Sequence, residues 1–204
     1  MNKLTYILTA IIVALTVNTA SAEGHWGVVA GVNISNFKFK QKLFSHSAAV
    51  GATVGIKGDL ALGSIGLGVD AGLLYTQYGA KLNMGEKKIW EEIGNGRLMT
   101  HNLEIPIHFR YVHQRMNGFE NTIAPFVYVG PAFDIHLGSS NNPAWQYAGM
   151  AISIQFGLGV RIVKKFEISA QYDLGATYVM KDKTLSDVSA QNRIWHINFV
   201  YYFK

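Results

Sequence analysis

The chain has 204 residues, 49% hydrophobic and only 15% charged, where ordinary soluble domains carry about 25% charge. A net charge of +5 without any dense Lys/Arg patch argues against a nucleic-acid partner. The absence of cysteine excludes a disulfide framework, a thiolate metal site and a lipid anchor through an N-terminal Cys.

The first 22 residues read as an address. Lys3 opens a short positive start, residues 4–17 are an apolar run, and Ala20-Ser21-Ala22 supplies the small-x-small pattern of a signal peptidase site. Cleavage is expected between Ala22 and Glu23, because the run falls short of the ~20 residues a spanning helix needs. Residues 23–204 then form a single domain. No later stretch reaches 18 consecutive apolar residues. Any membrane crossing beyond the signal must therefore use strands.

Alternation dominates the remainder of the chain. Residues 26–37 place Trp26, Val28, Ala30, Val32 and Ile34 on one face, with Gly27, Gly31, Asn33 and Ser35 on the other. The same period of two recurs over residues 47–57, 64–77, 101–111, 124–136, 149–161, 166–178 and 193–203. It is clearest in HNLEIPIHFRY, where Leu103, Ile105, Ile107, Phe109 and Tyr111 oppose Asn102, Glu104, Pro106, His108 and Arg110. Side chains on a strand point alternately to opposite faces, so each segment separates two different media. Eight such strands predict an all-β, antiparallel up-and-down barrel. The connections 39–46, 79–98, 138–147 and 179–192 form a longer set. Residues 58–63, 112–122 and 162–165 form a shorter one, although 112–122 blurs the rule. Long loops outside and short turns on the periplasmic side are the pattern of a transmembrane barrel.

A soluble lipocalin-like barrel would turn the apolar face inward and the polar face to water. The polar face decides against it. It is mostly Gly, Ser, Thr, Asn and Gln, with few charges of both signs, which suits a narrow interior that must pair its ions. Asp70, Glu104, Arg110, Arg161 and Glu167 are expected to meet there as one hydrogen-bonded network filling the lumen, since eight strands enclose just enough width for side chains. Tyr75, Tyr78, Tyr111, Tyr172, Tyr178, Tyr201 and Tyr202 near strand ends are expected in interfacial girdles. Pro106, Pro125 and Pro131 remove ladder donors and are expected to mark bulges between the fourth and fifth strands.

The segments GVNISNF, LLYTQYGAK, LEIPIHFRY, PFVYVGPAF and AQYDLGATYV, in that order across nearly all of residues 24–203, resemble the PorT-like outer-membrane β-barrel family of OmpX-like eight-stranded architecture. The resemblance implies an outer-membrane location, with the membrane lipid and the insertion machinery as partners. It implies little about activity. One departure is the end: family members finish on an aromatic residue, whereas here Lys204 follows Phe203.

No residue set demands catalysis, a metal or a cofactor. The seven His are dispersed, and none has ligand spacing along its strand. Asp134, His136, Ser139 and Ser140 are the only grouping reminiscent of a barrel hydrolase, and a polar strand end explains them. A non-enzymatic structural or surface-interaction role is the expectation, with a small diffusion channel or a lipid-modifying barrel enzyme as rivals. Within residues 79–98, Ile89 and Trp90 amid Lys87, Lys88, Glu91 and Glu92 make the best candidate contact for a surface partner.

Overall fold

The computed structural model describes residues 24–39, 45–62, 65–83, 96–113, 121–139, 145–147, 149–177, 180–182 and 189–203. The expected signal segment, with its cleavage point at Ala22 and Glu23, lies outside these residues, as do Ile89 and Trp90.

Alternating β-formers produce long strands: β1 (Gly24–Phe39), β2 (Ser45–Leu62), β3 (Leu67–Asn83), β4 (Gly96–Val112) and β5 (Ile123–Ser139). They continue as β6 (Trp145–Tyr147), β7 (Met150–Ile162), β8 (Phe166–Gly175), β9 (Met180–Asp182) and β10 (Ser189–Tyr202). Eight of them run antiparallel in the order β1-β2-β3-β4-β5-β7-β8-β10, and pairing of β1 with β10 closes the sheet into a barrel. Among the described residues closure leaves no free edge strand in the barrel wall, which is what a strand-built membrane crossing requires. The short β6 and β9 pair with each other and extend one side beyond the barrel, through Trp145↔Asp182 and Ser189↔Lys181. Neither was expected from the sequence.

The strands are longer than alternation alone indicated. β3 runs to Asn83 and β4 begins at Gly96, so residues 79–83 and 96–98 of the expected loop belong to strands. β2 runs through Leu62, which puts Asp59 on a strand and not in a turn. Pro106, Pro125 and Pro131 sit in no bulge. Pairing keeps one register past Pro106 and Pro131 and only skips rungs there, between Pro106↔Ala132 and Phe109↔Val129. The register shift on that seam lies instead between His101 and Asn102. A missing N–H removes a rung without requiring an extra residue.

The faces are inside out relative to a soluble protein. Phe109, Leu158, Trp195 and Ile197 are 58–66% exposed on the outer wall, whereas Asp70, Glu104, Arg110 and Glu167 are at most 3% exposed within. An apolar outside of this extent belongs in hydrocarbon. Inward glycines make room for lumen aromatics: a Cβ at Gly157 would run into the Tyr128 ring, and one at Gly159 into Phe126. Gly24, where β1 begins, and Tyr202, where β10 ends, lie at the same barrel end as the tight turns after β2 and β7. By the short-turn rule that end faces the periplasm.

Candidate functional site

The lumen holds two tiers of polar side chains. The inner tier lies toward the periplasmic end and is built from five strands. β2 supplies Lys57 and Asp59, β3 Asp70, β4 Arg110, β7 Arg161 and β8 Glu167, each inward because it falls on the polar phase of its strand. Lys57 Nζ reaches Asp70 Oδ2 at 2.9 Å and Glu167 Oε1 at 3.1 Å. Arg110 donates to Asp70 Oδ1 at 3.1 Å and also to Glu167 Oε2. Arg161 Nη2 lies 2.7 Å from Asp59 Oδ2 and 3.3 Å from Glu167 Oε2, and the Tyr202 hydroxyl donates to Glu167 Oε2 at 3.2 Å. Three cations thus meet three carboxylates, so the tier is neutral. Arg110 also stacks over Phe126 (4.2 Å to the centroid), and Arg161 over Tyr202 (4.8 Å).

Three of these pairs cross the bore. In the strand order, β2 and β7 stand on opposite walls, and so do β4 and β10. The Arg161–Asp59 pair therefore spans the lumen, and Lys57–Glu167 and Arg110–Glu167 each span three wall positions.

The outer tier is different. Gln155 Nε2 donates to both Glu104 Oε1 and Asp173 Oδ2 at 2.8 Å. Thr76 adds a bond to Glu104 (2.9 Å), Gln171 one to Asp173 (2.8 Å), and His196 Nε2 lies 3.1 Å from Asp173 Oδ2. His108 Nε2 bonds Gln155 Oε1 at 2.8 Å, which orients that amide.

Of the five residues expected to share one network, the structure brings Asp70, Arg110, Arg161 and Glu167 together. Glu104 is in the lumen but belongs to the outer tier, so the single network is corrected to two. Sequence reasoning did not include Lys57, Asp59 or Tyr202 in it. Lys57 was on the polar face already. Asp59 follows if the alternation is carried one step further. Tyr78 and Tyr202, expected in girdles, are 1% and 2% exposed and point inward. Tyr75 and Tyr172 do lie on the outer wall; Tyr75 stacks on His101 and Tyr172 tilts against Trp195 at 4.6 Å. His136 reaches Asn102 Oδ1 at 3.3 Å, while Asp134 stands buried among the lumen residues.

A closed eight-stranded antiparallel barrel with an apolar wall and an ion-filled bore is an outer-membrane β-barrel protein. Residues 19–179 match the family model described as outer membrane protein beta-barrel domain, and the chain belongs to that family. Among solved structures it is similar to the outer membrane protein OprG from Pseudomonas aeruginosa, at 10% identity over 88% of this chain and 96% of that one, with a TM-score of 0.51. It is also similar to Ail of Yersinia pestis in complex with a heparin analogue (15% identity, 89% and 99% covered, TM-score 0.43) and to Neisserial surface protein A (14%, 87% and 97%, 0.44). At such identities the likeness concerns the fold. No curated protein matches the chain in sequence.

Proposed function

We propose that this outer-membrane barrel is a non-enzymatic surface-interaction protein with a plugged bore, and that it is a PorT-like barrel, a reading supported by the ordered segments from GVNISNF to AQYDLGATYV. One observation carries the reading: three inner-tier ion pairs, Lys57–Glu167, Arg110–Glu167 and Arg161–Asp59, run across the bore, and the tier leaves no net charge. Their carboxylates and guanidiniums are spent on one another, which is an arrangement for closure and not for turnover or conduction. Recognition then falls to the outer loops, where residues 86–96 with Ile89 and Trp90 offer apolar anchors in a charged surround. Membrane lipid and the insertion machinery are the generic partners of the wall and of the Phe203 end.

Planar-bilayer recording tests this reading. The purified monomer should give little or no steady conductance, and replacing residues 86–96 with a Gly/Ser linker should leave that closure and heat-modifiable gel mobility intact while abolishing binding of the surface partner. Large, stable openings of the intact monomer would overturn it in favour of a diffusion channel.

A further inference from the structure

Two rungs of the barrel set carboxylate against carboxylate. Asp59 faces Asp70 across β2–β3, and Glu104 faces Asp134 across β4–β5. Facing side chains have Cβ atoms about 4.5–5.5 Å apart, and like charges there repel. At the inner rung Arg110 reaches both partners, at 3.8 Å from Asp59 and 3.1 Å from Asp70, and Lys57 adds a second cation to Asp70. At the outer rung no Lys or Arg of the described residues pairs with either carboxylate.

The surroundings of that rung are acidic and incompletely bonded. Consecutive wall strands β4, β5, β7 and β8 turn Glu104, Asp134, Ser153 and Asp173 into the bore. Glu104 and Asp173 have amide or hydroxyl donors, but Asp134 is 5% exposed and its Oδ1 has no hydrogen-bond partner among the described residues. Ser153, 3% exposed, is independent of the carboxylates, and its Oγ has no such partner either. The register places it diagonally beside Asp134, since Asp134 faces Ala151 and Ala132 faces Ser153. Two buried oxygens without a hydrogen-bond partner thus stand on neighbouring strands, at a rung that has no Lys or Arg counter-charge among the described residues. A buried carboxylate in that state is costly.

We propose that Glu104, Asp134 and Ser153, with Asp173 alongside, bind a hydrated divalent cation in the outer half of the lumen. The ion does for Glu104 and Asp134 what Arg110 does for Asp59 and Asp70. All-oxygen ligands select a hard cation. Among the described residues no three His, Asp or Glu side chains converge as a direct metal cage. The site therefore takes an ion that keeps part of its water shell and is held through one or two carboxylates, as Mg2+ is.

The test is urea unfolding of the full refolded barrel, followed by heat-modifiable mobility at fixed alkaline pH. Mg2+ is titrated against KCl of matched ionic strength. Saturating Mg2+ should raise the folded-to-unfolded ratio of the native chain roughly tenfold, as a ligand of the folded state does. Asp134→Asn should be more stable than the native chain in EDTA, because the repulsion is gone, and should not respond to Mg2+. Glu104→Gln should behave alike, and serves if the first variant folds poorly. A native chain indifferent to Mg2+, or variants that respond as the native chain does, would overturn the proposal.

Discussion

At the scale of single residues, the lumen shows why charge can be buried in a membrane barrel at all. An isolated ion in such a bore would be prohibitive, and removing one partner of a buried pair costs about 3–5 kcal/mol. Glu167 illustrates the coupling: it is fully buried and contacts Lys57, Arg110, Arg161 and Tyr202 at once. One step along a strand reverses the environment. Ile154 is 48% exposed on the outer wall, and its neighbour Ser153 is buried beside Asp134. Ile154→Arg should therefore cost ~2–4 kcal/mol, as a cation at mid-bilayer does. Ser153→Arg should be far better tolerated, because it brings a guanidinium to a carboxylate. Urea unfolding from lipid vesicles measures both, and equal losses would contradict the face assignment.

At the scale of elements, the β7–β8 hairpin is the place where local sequence and structure disagree. Its two central residues, Val163 and Lys164, both have positive φ (51° and 57°), and Lys165 N donates to Ile162 O at 3.1 Å. Hairpins of this form favour Asn-Gly, and a left-handed conformation costs an ordinary residue roughly 1–2 kcal/mol. The double change Val163→Asn, Lys164→Gly should stabilise the barrel by about 1 kcal/mol or more in the same unfolding assay. A loss would mean that Val163 makes a contact worth more than its strain. The hairpin position itself was legible, because Phe166 restarts the alternation that ends at Ile162. Strand ends were less so. β3 and β4 carry on into what reads as polar loop, since ladder bonds between neighbours continue beyond the apolar pattern. β6 and β9 are three residues each, too short for periodicity to reveal. Asp59 was lost to a Gly-rich stretch that reads as a turn.

At the scale of the whole molecule, the same alternation that defines each strand sorts the protein into a lipid-facing wall and a filled bore. Which side is water was legible from the polar face, since Gly, Ser and paired charges do not make a solvated exterior. Which charges touch was not. Contact across the bore depends on strand stagger and barrel closure, and those set Arg161 against Asp59, 102 positions apart in sequence. That is why Glu104, on the correct face, belongs to a different tier from the one expected.

The absence of cysteine allows the central claim to be tested residue by residue. Single cysteines at positions 168 to 172 of β8, each carrying a nitroxide, report collision with oxygen dissolved in the bilayer by electron paramagnetic resonance. Collision should be high at Ile168, Ala170 and Tyr172 and low at Ser169 and Gln171. The reverse alternation, or oxygen contact that is uniform along the strand, would contradict a barrel with lipid outside and ions within.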